Sequence, residues 1–198
     1  MSAVLAPISA PPIPVTGQRL LTVADLAAFP ADLPSGPVRY ELDNGRLIPM
    51  PPPGGPHGSS QGSLSAQLKV QGEWRGLGKA WAEIGVILWR NPDRVVAPDA
   101  AFLANFGFPF RYSPEGYLET IPHLAVEIRS KNDTQPEIDS KVRDYLHAGV
   151  LVVWVADPST QTVTEYRPGL SPRVYSAADT LTIEEIIPGF RLPVLQAF

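Results

Sequence analysis

The chain has 198 residues, enough for one domain with a real core, and 44% hydrophobic against 18% charged residues excludes a disordered polymer. It has no cysteine, which excludes disulfides, thiolate metal ligands and cysteine nucleophiles and points to a reducing cytoplasm. The net charge of -4 gives no overall basic footprint for nucleic acid, so any cationic surface must be local.

Residues 1–18, rich in proline, alanine and serine, read as a poorly ordered arm, and 19–198 as one domain without repeats. Thr22 can cap a short helix over 23–29, stopped by Pro30. Residues 39–50 read as two strands around Asn44-Gly45, a type I′ hairpin signal. The proline-glycine stretch 51–58 is a loop by composition. Leu64, Ala66, Leu68, Val70, Trp74 and Leu77 recur at helical spacings and predict a helix over 60–77.

Two strands follow, 80–89 and 94–103, separated by the Asn91-Pro92-Asp93 turn. Residues 105–120 are long and irregular, and their aromatics are expected to pack onto the chain's own domain. A strand over 123–130 and a helix over 138–148 precede 151–158, whose nearly unbroken apolar run suits a central strand covered on both faces. Short β-prone pieces at 162–166, 173–176 and 180–183 extend the sheet. The mixed order of strands and helices predicts an α/β fold with a mixed sheet. No apolar run approaches the ~20 residues that span a bilayer, and no basic segment precedes apolar residues at the N-terminus, so neither a membrane span nor a secretory signal is expected.

Within 123–130, Leu124, Val126 and Ile128 share one face and Ala125, Glu127 and Arg129 the other. A carboxylate on an otherwise apolar strand needs a partner, because burying it alone is costly. That partner is Arg129, a nearby lysine, or a metal ion. Asp99 follows Pro98, which cannot donate a ladder hydrogen bond, so the strand is expected to be interrupted there. Carboxylates from two strands suit a hard cation such as magnesium or manganese. On the following helix, Ile138, Val142, Tyr145, Leu146 and Gly149 form the apolar face, and Glu137, Ser140, Asp144 and His147 point away. Lys141 borders the apolar face and can reach round toward the sheet.

The order Pro98-Asp99, Glu127-Ile128-Arg129, then a helix bearing Lys141, resembles the PD-(D/E)xK nuclease superfamily. RYELDNGRL at 39–47, His57, APDAAFL at 97–103, HLAVEIRSKNDT at 123–134 and KVRDYLHAGVLVVWVADP at 141–158 together resemble the Uma-two family of restriction-endonuclease-like proteins. The resemblance implies a restriction-endonuclease-like α/β fold: a mixed sheet flanked by helices, with extra C-terminal strands. It implies Asp99 and Glu127 as ligands of Mg²⁺ or Mn²⁺, Glu41 as a further acidic member and metal ligand, and Lys141 as the site lysine moved from strand to helix. His57 is implied near the site without a role. Arg129 stands where the superfamily's usual lysine lies; it can hold a phosphate but cannot act as a base.

The activity implied is metal-dependent endonuclease cleavage of phosphodiester bonds, with DNA favoured, in a cytoplasmic homodimer. The alternative is a catalytically degenerate nuclease fold that binds nucleic acid or a protein. Glu41 also has a plainer reading, as a cross-strand partner of Arg39 or Arg46.

Overall fold

A computed structural model describes residues 19–198 except 31, 34, 35 and 51. The arm expected over 1–18 lies outside the described residues. Helix α1 (Val23–Ala27) is capped by Thr22, whose side chain accepts from Asp25 N–H while the Asp25 carboxylate accepts from Thr22 N–H. After the two-residue pair β1 (Asp32–Leu33) and β2 (Gly36–Pro37), strands β3 (Arg39–Asp43) and β4 (Arg46–Met50) form the expected hairpin. Asn44 (φ 49°) and Gly45 (φ 78°) both take the left-handed conformation that a type I′ turn requires.

Helix α2 (Gly55–Gln71) starts five residues before its expected beginning at 60. Pro56 sits in the first turn, where its fixed φ suits the helix and its missing N–H leaves no bond unmade. His57, expected in a loop, is therefore helical. At the other end α2 stops at Gln71, and Trp74 lies on a separate 3-10 turn (Glu73–Arg75), 72% exposed and off the core.

The two long strands expected at 80–89 and 94–103 are each broken in two. They become β5 (Gly78–Ala82) and β6 (Val86–Trp89), then β7 (Arg94–Val96) and β8 (Ala100–Ala104). The remaining elements are β9 (Leu124–Ile128), α3 (Gln135–Ala148), β10 (Val152–Asp157), β11 (Thr162–Tyr166), β12 (Arg173–Tyr175), β13 (Thr180–Leu181) and β14 (Leu192–Pro193). One sheet runs β12-β11-β10-β9-β8-β5 and a second runs β4-β3-β7-β6. The long hairpin thus passes from one sheet to the other and back. At one break Glu83 takes a left-handed φ of 54°, and a side chain at Gly85 would strike the Tyr117 ring at 2.3 Å. At the other, Pro98 has no N–H to give and Ala97 N–H goes to the Glu41 side chain. The expected interruption at Pro98 is therefore a change of sheet.

In the six-stranded sheet β9 and β10 are parallel and their other neighbours antiparallel. Helix α2 covers one face, packing Leu64 and Leu68 with Phe102, Val126, Trp154 and C-terminal residues such as Ile187 and Phe190. Helix α3 covers the other, packing Ile138, Val142 and Tyr145 with Ala125, Val153 and Val155. A fully buried leucine contributes about 1.5–3 kcal/mol of this cohesion. Strand β10, buried on both faces, is the central strand that its apolar run predicts. The aromatics of 105–120 pack in series: Phe108 on Phe110, Phe110 on Tyr112 and on Trp81, whose indole N–H donates to Tyr112 Oη. No helix among the described residues is long and apolar enough to cross a membrane.

Candidate active site

Where the two sheets meet, four elements bring ionisable side chains together. Alternation along β9 sends Glu127 toward α3, with Ala125, while Val126 and Ile128 face α2. Glu127 Oε2 lies 3.0 Å from Lys141 Nζ, and Oε1 accepts the Tyr145 hydroxyl at 2.5 Å. Lys141 and Tyr145 stand one helical turn apart on α3, so one helix face grips both oxygens. Lys141 Nζ also lies 3.0 Å from Glu41 Oε1, on β3 of the second sheet.

Glu41 is buried and fully engaged. Oε1 accepts Ala97 N–H at 3.2 Å as well as Lys141, and Oε2 faces Arg94 at 3.6 Å. Arg94, on β7, is itself buried; it donates to Asp144 Oδ2 at 2.7 Å and to the Leu42 carbonyl at 3.0 Å. The result is an alternating chain of charge: Asp144, Arg94, Glu41, Lys141, Glu127, ending on the Tyr145 hydroxyl.

Asp99 sits at the Pro98 break, beside β9. Its Oδ2 accepts Ile128 N–H at 2.7 Å and lies 3.3 Å from His57 Nε2. Its Oδ1 has no hydrogen-bond or ion-pair partner among the described residues. The Asp99 carbonyl accepts from Gln61 at 3.3 Å and from Glu83 N–H at 3.3 Å, which ties the two strand breaks together.

The electrostatics separate the two glutamates that share Lys141. Burial opposes the charge of Glu41, but Lys141, Arg94 and the Ala97 N–H outweigh it and hold this carboxyl below its ordinary value. Burial pushes Glu127 up to about 7; Lys141 and Tyr145 oppose that shift, and the nearby charges of Asp99 and Glu41 add to it. Burial likewise disfavours the Lys141 ammonium, yet Glu127 and Glu41 together hold its pKa above the usual lysine value. The hydrogen bond to Asp99 raises His57. Glu127, beside Asp99, is therefore the carboxylate that remains short of positive charge.

The donor set near Asp99 and Glu127 is oxygen, which suits a hard divalent cation. Among the described residues no three His, Asp or Glu side chains converge as a ready metal cage. Magnesium is ordinarily held by one or two carboxylates, with water and substrate phosphates completing the shell, so Asp99 and Glu127 fit such an ion. Both glutamates are engaged through both oxygens, Glu127 by Lys141 and Tyr145 and Glu41 by Lys141, Ala97 and Arg94; Glu41, flanked by two cations, is the less suited of the two to hold a further positive ion.

Of the residues singled out from the sequence, the structure joins Glu41, Glu127 and Lys141 directly and sets Asp99 next to them. Arg129 is apart: its guanidinium donates to Gln135 at 3.0 Å and makes no ion pair among the described residues. Neither Arg39 nor Arg46 takes Glu41; Arg39 pairs with Glu83 at 2.5 Å. Asp144, expected to point away, instead meets Arg94 across the interface with the second sheet. The sequence pattern does not single out Arg94, and it places Tyr145 among the apolar positions of α3. A buried arginine in so apolar a segment as 94–96 was the available signal for the first.

The fold is shared with a protein of Anabaena variabilis ATCC 29413 described as a "putative nuclease belonging to DUF820", at 19% identity and a TM-score of 0.72, over 90% of this chain and 97% of that one. No curated protein matches the chain. Residues 26–195 match the Uma2 family, described as "Putative restriction endonuclease", and the chain belongs to that family.

Proposed function

We propose that this protein is a Mg²⁺- or Mn²⁺-dependent endonuclease that hydrolyses phosphodiester bonds, with DNA as substrate. The observation that carries the reading is the placement of Lys141 at 3.0 Å from Glu127, on the strand next to the break that bears Asp99. The family's description as a restriction endonuclease supports the substrate class.

Asp99 and Glu127 would hold the cation. When bound, that ion would polarise the scissile phosphate and make water a stronger nucleophile. Lys141, whose ammonium form its two glutamates favour, acts as a fixed cation. Two of its N–H groups are directed to Glu41 and Glu127, and the third, without a partner among the described residues, can donate to a phosphate oxygen or to the attacking water. Glu41 and Arg94 act behind it, holding the ammonium in place. Cutting both strands of a duplex calls for two such sites, and a homodimer supplies them.

Incubation of supercoiled plasmid with the wild type and with Asp99→Ala tests the proposal. Nicking or linearisation that needs Mg²⁺ or Mn²⁺, stops with EDTA and is lost in Asp99→Ala is the expected result. Plasmid that is bound by the wild type yet left intact with either metal would replace the nuclease with a binding protein on the same fold.

A further inference from the structure

His57 stands in the first turn of α2, with its ring against Asp99. Its Nε2 lies 3.3 Å from Asp99 Oδ2, the same oxygen that accepts Ile128 N–H. A carboxylate oxygen only accepts, so Nε2 carries the hydrogen of this contact. The other ring nitrogen, Nδ1, is buried without a hydrogen-bond partner among the described residues. Buried polar atoms are nearly always paired, and a residue retained for packing alone would gain by losing this one. Among the described residues the ring's polar contact is therefore made at Nε2 alone.

That contact has a directional consequence. The β9 backbone donates to Oδ2 and the His57 ring on α2 lies 3.3 Å from the same oxygen, which leaves Oδ1 free of protein partners among the described residues. Gln61, one turn further along α2, donates to the Asp99 carbonyl. Helix α2 therefore fixes both the main chain and the carboxylate of Asp99.

We propose that His57 is a positioning residue for a divalent cation: it orients the Asp99 carboxylate so that Oδ1 is presented as the ligand atom. This rests on the reading of Asp99 as a metal ligand. Groups that orient metal ligands typically contribute about 10–100-fold to metal affinity.

The test measures Mn²⁺ affinity by calorimetry and the Tm of the metal-free protein, for the wild type, His57→Ala and His57→Gln. Expected is Mn²⁺ binding about 10–100-fold weaker in His57→Ala, without a fall in metal-free Tm, and recovery in His57→Gln, whose amide nitrogen can take the place of Nε2. If the alanine variant does not fold, His57→Asn, too short to reach Oδ2, takes its place. Wild-type affinity in His57→Ala would overturn the inference and leave the metal site standing. Weakened binding in both variants with a lowered Tm in both would make His57 a structural residue and overturn it as well. A wild type that binds no Mn²⁺ would overturn the metal site itself, and His57's role with it.

Discussion

Lys141 Nζ and Glu127 Oε2 meet at 3.0 Å although the residues are fourteen positions apart and lie on different elements. The chain leaves β9, turns, and returns as α3 across the same face of the sheet, which brings a helix lysine over a strand carboxylate. Glu41 closes the contact from the second sheet. One ammonium therefore links both sheets and α3, and the site is part of what holds the two sheets in register.

Removing that ammonium leaves two carboxylates buried against each other. Lys141→Met is expected to lower stability by about 3–5 kcal/mol, the usual cost of breaking a buried ion pair from one side. The loss is greatest above pH 7, where Glu127 is ionised, and smaller below it, where Glu127 takes up a proton. Urea unfolding on either side of pH 7 measures both; a loss that stays the same at both would contradict the account.

Glu127 also sets a pH dependence of stability whose sign follows from its raised pKa. In the folded protein it titrates near 7, and in the unfolded chain near the ordinary 4.5. Between these values the folded state holds a proton that the unfolded state has released, so stability falls as pH rises. The contribution is fully present below 4.5 and is lost by the time pH passes 7. Relative to Glu127→Gln, which carries no such proton, the wild type's stability is expected to decline steadily across that window. A wild-type advantage that grows with pH would contradict it.

Much of the architecture was legible in the residues themselves. The period-two pattern around Glu127, the Asn44-Gly45 turn and the apolar run of β10 all report local backbone geometry, which local sequence determines. The Asp99 break was legible because proline lacks a donor. The start of α2 was not, because composition marks 51–58 as a loop while Pro56 is equally suited to a helix's first turn. Likewise α3 begins at Gln135, three residues before the expected 138, on a Thr134–Glu137 capping box that the sequence contains. The charge network was legible only in part. Arg94 and Asp144 are fifty residues apart, and no local pattern announces that two sheets will bring them to 2.7 Å.

Tyr145 offers a conservative test of how firmly Glu127 is held. Tyr145→Phe keeps the buried ring and deletes the hydroxyl that donates to Oε1 at 2.5 Å. A loss of about 1.5–3 kcal/mol in urea unfolding is expected, the range for a hydrogen bond to a charged group. A change within the scatter of a surface substitution would mean the hydroxyl contributes little.

Arg129 is expected to matter least of the residues marked by the family pattern. Its one side-chain hydrogen bond among those described is to Gln135, and it joins no ion pair of the site. Arg129→Ala should change stability by no more than about 0.5 kcal/mol, as substitutions away from buried networks do. Plasmid cleavage by this variant should stay within a few-fold of the wild type; its abolition would place Arg129 on the substrate.

Calorimetric titration of Mn²⁺ into the wild type and into Glu127→Ala tests the central claim most directly. The account predicts binding to the wild type that vanishes in Glu127→Ala, since Asp99 alone is left to hold the ion. Equal binding by both proteins, or none by the folded wild type even with DNA present to supply phosphate ligands, would contradict it.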